Sequence, residues 1–125
     1  MSKKKTHEPS RSERKHLKML YANPIKECYP TVENISISYS TSLNELGGWD
    51  KKASGPHTYE PDSTTLFDYD CPHNHCMGSF DLSDEISDMI RRHASTHSGQ
   101  MICQYIVRGH PCWVHFDYVI NTKYK

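Results

Sequence analysis

No stretch of this 125-residue chain has the apolar run of a signal-peptide core, and none approaches the length of a membrane span, so a membrane role is not expected. The sequence opens Met-Ser-Lys-Lys-Lys and continues polar, which makes export unexpected and a cytoplasmic location the expectation. Hydrophobic residues make up only 35% of the chain, below the usual globular share, so there is little material for a core. There is no glycine-rich phosphate loop either, because Gly47-Gly48 lacks the Lys-Ser/Thr that would complete one. His93 and His97 have the spacing of two metal ligands on one helix face, but Ala94 stands where the metalloprotease motif needs glutamate. The zinc-deaminase pattern fails as well: there is no His-x-Glu, and Pro111-Cys112 is followed by Trp113-Val114-His115. No nucleophile motif marks a Ser-His-Asp or Cys-His set. The sequence therefore directs the search toward binding rather than catalysis.

Five cysteines are present, an odd number. A core confined to about half the chain is marginal by burial alone, and such domains commonly add disulfides or a metal. In a reducing compartment clustered cysteines are more often metal ligands than bridges, and the alternative is two disulfides with Cys28 left over. The charge is zero in total but uneven. Residues 1–19 carry seven Lys/Arg against two Glu, net +5, and the rest carries eight basic and thirteen acidic residues, net −5. Such an arm is either a solubilising tail or a contact for RNA, DNA or an acidic protein surface through residues 3–18.

The chain divides into a basic tail over residues 1–22, disordered at first with a short helix from Ser10 to Ala22, and one small domain over 23–125. In that short helix Leu17, Leu20 and Tyr21 form a thin stripe, and Pro24 ends it. Val32–Thr41 reads as a strand with Ile35, Ile37 and Tyr39 on one face and serines on the other. Residues 42–63 hold Gly47-Gly48, Gly55-Pro56 and Glu60-Pro61-Asp62 and keep no period, so a long loop is expected there. Thr64–Asp70 reads as a second strand, with Phe67, Tyr69 and Cys71 on one face. A helix is expected from Ser83 to His97, capped by Asp81 or Ser83, carrying Ile86, Met89, Ile90, His93 and His97 on one side, and closed by Gly99. A hairpin follows, Gln100–Val107 and Cys112–Tyr124 around Arg108-Gly109, with Cys112, Val114, Phe116, Tyr118 and Ile120 on its apolar face. The expected fold is α+β: a small antiparallel sheet of about four strands, one helix and a zinc-stapled cysteine turn.

Cys71 and Cys76 bracket a turn that contains Pro72, Asn74 and, just beyond, Gly78, so one short segment supplies an edge of a tetrahedron. Cys103 and Cys112 have eight residues between them, but the expected hairpin brings them onto neighbouring strands within about two residues of register. The reading is a closed structural Zn²⁺ site made by Cys71, Cys76, Cys103 and Cys112. His73, His75 or His110 would be the replacement for one thiol in a Cys₃His variant. Cys28 is assigned to ordinary packing as a small apolar group.

From Phe67 to Cys112 the order Cys-Pro-x-x-x-Cys, Gly78-Ser79-Phe80-Asp81-Leu82-Ser83, a helix, Met101-Ile102-Cys103 and a late Cys112 resembles small bacterial four-cysteine zinc-binding proteins of unassigned role. The likeness covers the C-terminal half, implies zinc, and implies no substrate. It departs from zinc-ribbon and treble-clef patterns, which use tighter Cys-x-x-Cys pairs. The functional expectation is a zinc-stabilised adaptor that docks a protein partner through the tail, the 42–63 loop or the wet sheet face. One alternative is a nucleic-acid- or ribosome-associated protein using its basic arm, opposed by the acidic body unless charges segregate by face. A second is a small zinc-dependent hydrolase with an open metal position, which four thiolates would not leave.

Overall fold

Isoleucine–serine alternation makes a two-sided strand, and in the computed structural model this strand, β1 (Val32–Leu43), lies inside the sheet. The structure describes residues 22–43 and 49–125, with the backbone alone at Trp49. Residues 1–21 of the expected tail, with the Leu17–Tyr21 stripe, lie outside the described residues, as do Gly47 and Gly48. After a single helical turn, α1 (Ile25–Cys28), and β1 come β2 (Trp49–Tyr59), β3 (Asp68–Asp70), β4 (Ser79–Asp81) and the helix α2 (Ser83–Arg91). The remaining strands are β5 (Thr96–Ile102), β6 (Ile106–Val107), β7 (His110–Pro111) and β8 (His115–Tyr124). Strands dominate. The four long ones form an antiparallel sheet in the order β2-β1-β8-β5, and β3-β4 and β6-β7 are small separate hairpins.

Register follows the apolar alternation. Ile37 sits opposite Ile120, Tyr39 opposite Tyr118, and Thr41 opposite Phe116. The inward residues of β1 and β8 meet Ile86 and Met89 of α2, together with Phe67, Phe80 and Leu82, in one core cluster. Phe80 stacks on Phe116 with ring centroids 4.4 Å apart. The opposite face bears Ser38, Ser40, Ser98, Gln100 and Asp117, the wet side expected from the serines. No helix among the described residues is long and apolar enough to cross a membrane.

The expected loop over 42–63 is corrected: half of it is the strand β2, and its first two residues end β1. Strand β2 lies at a sheet edge and buries little, so its side chains show no two-residue period, and backbone pairing with β1 holds it. Gly55-Pro56 occupies a bulge, because Ile37 pairs with His57 and Tyr39 with Ser54, leaving two β2 residues against Ser38. Gly55 has φ +103°, and a Cβ there would stand 2.8 Å from the Ile37 carbonyl oxygen. Only the end of the expected Thr64–Asp70 strand pairs as β3.

The helix is also shorter than its pattern. It stops at Arg91, and His93 turns the chain back at φ 56°, a left-handed position that sequence reading reserves for glycine or asparagine. The Ala94 N–H bonds the Met89 carbonyl, and β5 begins at Thr96. His93 stacks on Tyr124, whereas His97 lies on β5 beside Tyr118, so the two histidines share no helix face. Gly99, expected to close the helix, pairs instead with Tyr118 in the sheet.

Candidate metal centre

Two turns build the site. Cys71 follows β3 directly and Cys76 lies in the turn before β4, where the Cys76 N–H bonds the His73 carbonyl and the Cys71 N–H bonds the Gly78 carbonyl. This folds residues 71–78 into a loop whose ends meet. Cys103 follows β5 and Cys112 follows β7. The arms carrying them are held together because the Cys103 N–H bonds the Val114 carbonyl, the Trp113 N–H bonds the Cys103 carbonyl, and the Cys112 N–H bonds the Tyr105 carbonyl. Arg108 at φ 52° and Gly109 at φ 82° make the left-handed two-residue turn that reverses the chain between them. The expected hairpin therefore forms around its expected turn, interrupted near Cys103 and Cys112 where the sulfurs turn inward.

All four sulfur atoms lie within 4.8 Å of one another and all four residues are buried. The Cys71 and Cys112 sulfurs are 3.6 Å apart, as are those of Cys76 and Cys103. A disulfide needs about 2.05 Å between sulfurs. A tetrahedron with metal–sulfur bonds of about 2.3 Å has edges of about 3.8 Å. The cluster fits a metal ion closely and no disulfide is present among these four.

Two polar groups stand against the sulfurs. The Gly78 N–H points at Cys76 Sγ over 3.3 Å, and His73 Nδ1 lies 3.3 Å from Cys112 Sγ. Burial pushes the Cys71 thiol far above its ordinary range and the Cys103 thiol up to about 12. Burial opposes ionisation at Cys76 too, but the Gly78 N–H and the neighbouring thiols bond its sulfur and hold it below the ordinary value. One thiolate is thus supported by its neighbours, and further negative sulfurs in this space call for a cation.

No protein family, curated protein or solved structure matches this chain. The site is read from its own geometry.

The structure brings together all four cysteines singled out from the sequence, and no histidine joins the converging group among the described residues. His73 stands beside Cys112 Sγ as a neighbour of the cluster, and His75 and His110 line an adjacent cleft. Cys28, expected to be packed in the interior, is exposed and far from any such role, because it ends the single-turn α1 at the surface. Sequence reading missed Gly78 as a site residue. A Cβ there would stand 2.9 Å from Cys103 Sγ and 3.4 Å from Cys76 Sγ, so only glycine lets the backbone pass this close to the sulfurs. Its place two residues after a ligand cysteine was the available signal.

Proposed function

We propose that this protein is a small binding module whose sheet end is stapled by one structural zinc ion held by Cys71, Cys76, Cys103 and Cys112. The observation that carries this reading is the convergence of four buried sulfurs at tetrahedral spacing. Four sulfur ligands fill a tetrahedron and leave no open position for substrate or water, which favours a structural over a hydrolytic role. Sulfur-only tetrahedra suit zinc and iron, and zinc is the usual occupant of closed four-cysteine structural sites. Binding is supported by the surface of the metal end: Ile102, Tyr105, Ile106 and Trp113 are each more than 40% exposed, and they make up four of the five large exposed apolar side chains described.

The test is metal analysis of the purified protein and of single Cys→Ser variants. About one zinc per chain is expected, lost on substitution of any of the four ligands and retained in Cys28→Ser. Iron with visible absorption, or zinc retained by Cys112→Ser, would overturn the assignment.

A further inference from the structure

Beside the metal centre lies a cleft of about 550 Å³, inside the range of small-ligand sites. Its wall includes Asn74, His75, Arg108, His110, Pro111 and Trp113. Of the four non-glycine residues with positive φ among those described, three line this one cleft: His75 at 65°, Arg108 at 52° and Trp113 at 60°. Left-handed backbone at a tryptophan is sterically costly, and such outliers gather at ligand sites where the surrounding structure holds them in place. Here the holding structure is the cysteine cluster, since Trp113 follows Cys112 and its N–H is fixed to the Cys103 carbonyl. Its indole is about half exposed. A ring held at a fixed backbone position and facing outward is a platform on which a flat group such as a nucleobase can stack.

The charge of the fold agrees. The described body is acidic overall, yet from Met89 to Phe116 there is no Asp or Glu, and no carboxylate lines the cleft. The cleft wall itself offers an approaching phosphate Arg108 and no carboxylate. Seven more basic residues lie within residues 1–19 of the same chain.

We propose that this cleft binds single-stranded nucleic acid, with one base stacked on Trp113 and the adjoining phosphate held by Arg108. This deepens the binding-module reading and rests on it, because the metal fixes the backbone that presents the indole. Asn74 offers amide donors and an acceptor for a base edge, and Pro111 supplies an apolar wall. Stacking tolerates any base, so affinity follows backbone charge and strand flexibility more than sequence.

The experiment uses the full zinc-loaded chain and a fluorescein-labelled RNA dodecamer, with the DNA of identical sequence as a second arm. Asparagine tolerates left-handed backbone, so Trp113→Asn and Arg108→Asn remove the ring and the charge while keeping each turn. Anisotropy should show Trp113→Asn binding about 5- to 100-fold more weakly, the effect of one stacked base. Arg108→Asn should bind more weakly and lower the slope of log affinity against log salt by about one. Zinc content and melting temperature are read on the same samples and should match wild type. Zinc-loaded variants that bind both oligonucleotides as wild type does would overturn the proposal, as would a wild-type protein that binds neither. Equal competition by polyglutamate would overturn it too, leaving a surface that reads charge alone. A protein devoid of zinc would instead overturn the metal reading, whatever the oligonucleotide result.

Discussion

Gly78 shows how finely the metal end is fitted. A methyl group at this position would overlap Cys103 Sγ and crowd Cys76 Sγ, and the nearby Tyr105 Cβ at 3.1 Å blocks relief on the other side. Gly78→Ala should therefore loosen the tetrahedron and lower stability by about 1–3 kcal/mol, the usual cost of overpacking. A chelator-competition titration checks it, with weaker zinc retention than wild type expected and an unchanged affinity counting against the close fit. The tyrosine pair gives a second expectation at this scale. The Tyr59 and Tyr69 hydroxyls are 2.5 Å apart, and burial leads the causes that raise both above the ordinary phenol range. For groups raised in the fold, the stabilisation is complete below the unfolded value of about 10 and is lost as pH rises through the folded values. Phenolate absorbance followed through an alkaline titration should show these tyrosines ionising late and together with unfolding. Smooth titration of all eight tyrosines near 10 in a folded protein would contradict it.

Among the elements, what could be read from sequence depended on how each one is buried. Strand β8 has one face in the core and one in water, so Phe116, Tyr118 and Ile120 stand out against His115, Asp117 and Asn121. The inward direction of Cys112 and the Arg108-Gly109 turn followed from the same pattern, which is why the convergence of the four cysteines was legible in the sequence. Strand β2 was not legible, because an edge strand with Lys51, Lys52, His57 and Pro56 buries too little to print a period. The end of α2 was missed for another reason. His93 and His97 continue the helical spacing of Ile86 and Met89, and only tertiary pairing of β5 with β8 pulls Thr96 onward into the sheet. The adjacent cleft was invisible in the sequence because left-handed backbone at Trp113 has no composition signal.

For the molecule as a whole, the cysteine cluster is joined in sequence to a central strand of the sheet. Cys112 lies just before β8, which pairs with both β1 and β5, so loosening the metal end frees the start of the central strand. Structural zinc contributes about 10–16 kcal/mol in small zinc-folded domains, comparable with or larger than a whole domain's stability of about 5–15 kcal/mol. Chelation should therefore abolish the sheet signal in circular dichroism and the tertiary signal in near-ultraviolet in one step, restored by added zinc. Retention of the sheet after complete metal removal would show that the core stands alone. The position of β8 also bears on synthesis. Ribosomes deliver a chain from its N-terminus, and here β1, β5 and all four clustered cysteines emerge before the strand that joins the sheet. Until residues 115–124 leave the exit tunnel, the nascent chain holds unpaired strand edges. Folding of the sheet then waits on the emergence of β8, the strand that joins β1 to β5.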